Sequence, residues 1–166
     1  MKPERAQVFA QGLVAGLIAY AAVAVFFLLV NVVAGRSPFH TAAALGEALF
    51  YGLEDPTRIT IEPGPVLAYN GLHLIVSLLA GTIAAWLFFE TERHHWLWYF
   101  VFFVFIAGFV FSLVFVGAVS VEIAGLVPWW SVAVANVVWV VGLVSYLWYQ
   151  HRGLVRELME EQESAT

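Results

Sequence analysis

Cysteine is absent from this chain. With it go disulfides, thiolate metal sites, iron–sulfur clusters and cysteine nucleophiles. Charge is scarce too: 11% of the 166 residues are Asp, Glu, Lys or Arg, against about 25% in an average soluble domain. Seven basic residues face twelve acidic ones, for a formal net charge of −5. No basic surface remains for a phosphate backbone, so nucleic acid is excluded as a partner. The acidic excess is concentrated in a tail, Glu157 to Glu163, and in a segment holding Glu47, Glu54, Asp55 and Glu62.

Catalytic signatures are missing as well. The sequence has no glycine-rich phosphate loop, no Gly-x-Ser-x-Gly elbow, no His-Glu-x-x-His and no pair of aspartates within an apolar run, which leans the reading away from an enzyme. A channel or transporter ranks third among the readings. Inverted repeats, helices broken by glycine or proline, and a charged conduit are its marks, and none is evident.

What fills the chain is hydrophobic residues, 62% of the total, gathered in blocks of span length. The blocks are Val8 to Ala34, Val66 to Phe89, Trp96 to Val121 and Trp129 to Tyr149. Each is near or above the roughly 20 residues that cross about 30 Å of hydrocarbon as a helix. In lipid the backbone has no partner but itself, so helix outweighs the β-branched and aromatic bias of the third block. The first block is too long for a signal sequence and is expected to be retained. The fold class expected is therefore all-α, an integral membrane four-helix bundle forming a single domain over residues 1–166, with an acidic tail at 150–166.

Basic residues orient it. With four crossings Lys2, Arg5, Arg93, Arg152 and Arg156 share one side, and Arg36 and Arg58 the other. The positive-inside rule then puts both termini in the cytoplasm, with the bacterial plasma (inner) membrane as the expected location. Interfacial aromatics agree: Trp86, Trp96, Trp98, Trp148 and Tyr149 at the inner face, Tyr69, Trp129 and Trp130 at the outer.

The segment from Gly35 to Pro65 is the longest part outside lipid. Ser37 and Pro38 make a helix start and Gly52 a stop. Between them the spacing predicts a short amphipathic helix with one stripe of Ala42, Leu45, Leu49 and Leu53 and another of His40, Ala44, Glu47 and Tyr51. Such a helix lies along the outer surface or over the bundle mouth. Thr57 to Glu62 reads as extended, and Pro63-Gly64-Pro65 as a sharp turn into the membrane.

Polar residues inside spans carry the functional signal. Asn31, Asn70, His73, Glu122 and Asn136 all fall in the outer half of the bilayer, where buried polar groups are costly and often mark a site. They are expected to form one polar layer, with His73 the deepest ionisable group and Glu122 its nearest acidic partner. Interhelical hydrogen bonds worth about 0.6 kcal/mol each explain such a layer without a ligand. The sequence specifies no cofactor. A bis-histidine haem lacks its second ligand, since His73 is the only histidine well inside a span, and nothing else points to a pigment. A four-ligand site for zinc or copper from His73, Glu122, His40 and Glu47 requires the surface helix to fold over the bundle. His40 and Glu47 alone stand about 10 Å apart along a helix and cannot share an ion. Glu92 and His95 give a single Glu-x-x-His, where a di-iron bundle needs two copies and two further glutamates, so a solvated loop near His94, Arg93 and Glu90 is the expectation.

Small residues recur at Gly12 and Gly16 and at Ala80 and Ala84, spacings that let helices approach within the bundle or between copies. The third and fourth blocks carry Phe100, Phe103, Phe105, Phe109, Phe111, Trp139 and Trp148, more bulk than four helices bury. The function that leads from these features is a non-catalytic membrane protein, an accessory or assembly subunit of a larger complex or a small homo-oligomer, whose partners are lipid and other subunits or copies of itself. The alternative is a metal- or cofactor-binding redox or transport protein centred on His73 and Glu122.

Overall fold

The computed structural model describes residues 5–53, 55, 58–91, 94, 96, 97, 99, 102, 103, 106, 108–110, 114 and 127–150. Among the described residues the α-helices with assigned bounds are α1 (Arg5–Val33), the short α2 (His40–Gly46), α3 (Pro63–Thr91) and α4 (Trp129–Gln150). No strand occurs among the described residues. Three of the helices, α1, α3 and α4, are long and apolar enough to cross a membrane. The third apolar block lies largely outside the described residues; those described from Leu97 to Val114 are helical.

The ends of the helices follow from local chemistry. At the end of α1 the Arg36 N–H bonds the Asn31 carbonyl at 2.9 Å and the Gly35 N–H bonds that of Val32 at 3.0 Å. This closure needs a left-handed residue, and Gly35 has φ +69°, which glycine adopts without a Cβ penalty. α2 starts two residues later than the Ser37–Pro38 pair predicts. The His40 N–H bonds the Ser37 carbonyl, and the Ser37 hydroxyl is 3.4 Å from the Phe39 N–H, long for a cap. After Gly46 the coil widens into a π-helical turn, Glu47–Tyr51, that stops at Gly52 with φ +69°. The extra residue per turn shifts the register, so the 3.6-residue stripes expected through Glu47, Leu49 and Tyr51 do not continue those of α2. Pro63, Gly64 and Pro65, expected as a turn, are instead the first residues of α3. A first-turn N–H has no intrahelical partner, so proline costs nothing there.

Packing centres on α1, which runs along both α3 and α4, while those two touch little. Gly12 lies against Gly81 and Thr82, and Gly16 against Ser77 and Leu78. A Cβ on Gly12, Gly16 or Gly81 would overlap the facing backbone. The small-residue motif of α1 thus joins helices within the chain, and Ala84 extends the seam. On the other side Gly142 of α4 faces Ile18, Ala19 and Ala22 at ordinary contact distance. Rising numbers in α1 meet falling numbers in both neighbours, so α1 is antiparallel to α3 and α4, and these are parallel to each other.

The core is small-sided, with Ala15, Ala19, Ala84, Ala85, Leu143 and Leu147 at its centre. Large apolar residues lie on the outside, among them Leu67 at 70%, Leu79 at 60% and Val33 at 87% exposure. In water such surface drives aggregation, whereas in lipid it is the solvated face.

Candidate functional site

The polar residues expected to share one layer occupy separate places. Asn31 is 97% buried, its relative exposure being 3%, and both its amide nitrogen and its amide oxygen are hydrogen-bonded. Its Nδ2 donates to the Pro38 carbonyl at 3.0 Å, and its Oδ1 accepts from the Thr41 hydroxyl at 3.0 Å. Asn31 therefore pins the start of α2 to the end of α1. Asn70, on α3, donates from Nδ2 to its own helix at the Val66 carbonyl, 2.8 Å. Its Oδ1 accepts from the Tyr20 hydroxyl of α1 at 3.1 Å. Tyr20 is eleven residues before Asn31, about 16 Å along the helix, so these are two sites and not one.

His73 belongs with Tyr20 and Asn70. Its ring lies 5.3 Å from that of Tyr20, tilted by 56°, and 6.0 Å from that of Tyr69, nearly parallel at 28°. One turn further along α3 the fully buried Ser77 accepts a hydrogen bond from the Trp139 indole of α4 at 3.1 Å. Asn70, His73 and Ser77 thus form a polar stripe at i, i+3 and i+7 on the face of α3 turned towards α1 and α4. Asn136 donates to the Val132 carbonyl of its own helix at 2.9 Å. Glu122 lies outside the described residues, as do Glu92 and His95.

Tyr20, Ser77 and Trp139 were not among the expected site residues. Tyr20 carried a readable signal: a phenol near the middle of a span, away from the interface where tyrosine is favoured, has to find a polar partner inside the bundle. Ser77 carried none, because serine commonly bonds its own helix carbonyl in lipid and looks the same in sequence either way.

The residues expected to complete a metal site are spread over the other end. The Glu47 carboxylate accepts from the Thr60 hydroxyl at 3.1 Å. His40 lies on α2 with its Nε2 buried and without a hydrogen-bond partner among the described residues. Burial, and then the nearby Arg36 guanidinium, push the His40 pKa below its ordinary 6.5. Among the described residues no group of three or more His, Asp or Glu is close enough to hold a metal ion. At the opposite end His94 and Glu90 approach to 3.8 Å across one helical turn, a pair at the membrane boundary worth little on its own.

A helical fold with three span-length helices, a small-sided core and apolar residues facing outwards defines this chain as an all-helical membrane protein. No family model, curated protein or solved structure matches it.

Proposed function

We propose that this chain is a non-catalytic polytopic membrane protein that works by association, as an accessory subunit of a larger complex or a small homo-oligomer, in a bacterial inner membrane. It crosses the bilayer four times with both termini cytoplasmic. One relationship supports the fourth crossing: α3 ends at one end of the molecule and the parallel α4 begins at the other. The apolar block between them has the length to return the chain across the membrane.

The observation that carries the non-catalytic reading is how the polar side chains are used. Asn31 bonds Thr41 and Pro38, Asn70 bonds Tyr20, and Ser77 bonds Trp139. These bonds join one element to the next, the ordinary role of polar residues between membrane helices. Cross-linking in native membranes followed by purification tests the association. Discrete products holding a second copy or another membrane protein are expected; a monodisperse monomer that captures nothing would overturn the reading.

A second reading, a bound cofactor or metal at His73, is favoured by the flanking of its imidazole by Tyr20 and Tyr69. Absorption spectroscopy and elemental analysis of the purified protein decide it, since a colourless, metal-free preparation removes this reading.

A further inference from the structure

The end of the molecule that holds α2 has a definite depth in the membrane. Trp130 and Trp148, 47% and 42% exposed on α4, are eighteen residues apart, about 27 Å along the helix. That separation is close to the roughly 30 Å of hydrocarbon, whose two edges are where indoles gather. Where Gly142 of α4 faces Ala19 of α1, the antiparallel register brings Trp130 level with Asn31. Asn31, Thr41 and Trp130 line one groove of about 470 Å³ between α1 and α4. The first residues of α2 are therefore at the edge of the hydrocarbon.

The far end of α2 is at nearly the same level. Gly12 faces Thr82 and Gly16 faces Leu78, a register that sets Pro65 of α3 opposite Leu29. Gly46 lies on Pro65, and Leu29 is two residues, about 3 Å, from Asn31. From Thr41 to Gly46 the helix advances about 7.5 Å, so it runs mainly across the bundle, in the plane of the membrane edge. Its buried residues are Thr41, Ala43, Ala44, Leu45 and Gly46. Three large aromatics remain uncovered: Phe39, Phe50 and Tyr51 are each more than half exposed. Neighbours fix their depth. The Pro38 carbonyl, next to Phe39, accepts from Asn31, and the Tyr51 hydroxyl lies against Gly64 in the first turn of α3.

We propose that α2 and the π turn after it form an in-plane helix bound to lipid, with Phe39, Phe50 and Tyr51 inserted where headgroups meet acyl chains. Composition favours lipid over water as their surroundings. Among the fifteen residues from Phe39 to Leu53, Glu47 alone carries a formal charge, and its carboxylate accepts from the Thr60 hydroxyl. Exposed aromatics with little charge between them belong at a membrane interface. The same depth is already apolar on the long helices: Val33, Leu67 and Trp129 are all exposed and stand within about 6 Å of the Asn31 level. The aromatics of α2 continue that lipid-facing surface over the end of the bundle. Lipid contact at this edge requires neither a fourth crossing nor a given orientation.

The absence of cysteine lets single-cysteine variants of the full chain carry one nitroxide each. In phosphatidylcholine nanodiscs, power-saturation spin resonance compares collisions with oxygen, which concentrates among acyl chains, and with a water-soluble nickel chelate. Leu79→Cys, at a position 60% exposed on the middle of α3, is the lipid reference. Arg58→Cys, where the side chain is 85% exposed, is the water reference. Labels at Phe39→Cys and Phe50→Cys are expected to show an oxygen-to-nickel ratio severalfold above that of Arg58→Cys and below that of Leu79→Cys. A ratio equal to that of Arg58→Cys would place the aromatics in water and overturn the proposal. Few collisions with either reagent would put protein on this face, a second copy included, and overturn it equally. Solid-state NMR of the unmodified chain gives a readout free of substitutions. Transfer from lipid methylene protons to the Phe39 and Phe50 rings is expected, and its absence while Leu79 shows it counts against insertion.

Discussion

The Trp139 indole of α4 donates to the Ser77 hydroxyl of α3 at 3.1 Å, and this bond links two helices that otherwise touch little. Both groups are within the apolar interior, where neither finds water. Removing one leaves the other unsatisfied, at a cost of about 1–3 kcal/mol. Ser77→Ala is therefore expected to lower stability by about that amount, and Trp139→Phe similarly. A double-mutant cycle read by unfolding in denaturing detergent is expected to give a coupling energy of about 0.6–1.7 kcal/mol. Strict additivity of the two substitutions would show that the bond does not form in the bilayer.

The α1–α3 seam admits no side chain at Gly16, whose Cβ would collide with the Ser77 carbonyl. Gly16→Val forces the backbones apart and is expected to cost more than the roughly 1–3 kcal/mol typical of overpacking, because backbone is less able to yield than a side chain. Gly71, also on α3, has nothing near the position of a Cβ. Gly71→Ala should be neutral or stabilising by up to about 1 kcal/mol through helix propensity. Thermal unfolding in detergent compares the two, and equal effects would contradict the close packing.

Asn31 fixes the start of α2 to the end of α1. Asn31→Ala leaves the Thr41 hydroxyl and Pro38 carbonyl without their partner, and about 1–3 kcal/mol of local stability goes with it. Hydrogen exchange should quicken across His40–Tyr51 while the middle of α1 and α3 stays protected. Unchanged protection of α2 would show that its contact with α3, where Gly46 lies on Pro65, suffices alone.

His40 makes the docking of α2 sensitive to acid. Its folded pKa is below 6.5 because burial and Arg36 disfavour the imidazolium. Between the folded and the unfolded value the detached state holds more protons, so the docked state weakens as pH falls. Stability of α2 is therefore level above pH 6.5 and declines below it until the folded value is passed. Protection factors measured at pH 7.5 and 5.0 should differ for the native chain and much less for His40→Gln. Identical pH dependence in the two would rule out the histidine as the cause.

The topology is open to cysteine labelling, since the chain has no cysteine of its own. In cells, Arg58→Cys should react with a membrane-impermeant maleimide from outside. Lys2→Cys and Glu160→Cys should react only after lysis. Labelling of Lys2→Cys and Glu160→Cys on opposite sides would mean an odd number of crossings.

Much of this was open to reading from residues alone. The spans of α1, α3 and α4 were legible because lipid leaves the backbone a single solution, and a long apolar run announces it. The Gly52 stop was legible for a similar local reason, the ease of a left-handed glycine. The π turn after Gly46 was not, since a single added residue depends on how α2 fits over α3. Nor was the division of the polar residues. Asn31 and Asn70 are the same residue type at nearly the same expected depth, but one turns to Thr41 of α2 and the other to Tyr20 of α1.

Sequence by itself determined the solvent, the helical class and the position of each apolar run, because transfer of side chains into lipid and satisfaction of the backbone act within one segment at a time. The tertiary structure decided which polar groups meet, that Gly12 and Gly16 serve contact within the chain, and that α1 and α4 part to leave a groove lined by Phe26, Val30 and Trp130. Those outcomes depend on the rotation and crossing of neighbouring helices, which close steric contact sets between segments far apart in sequence.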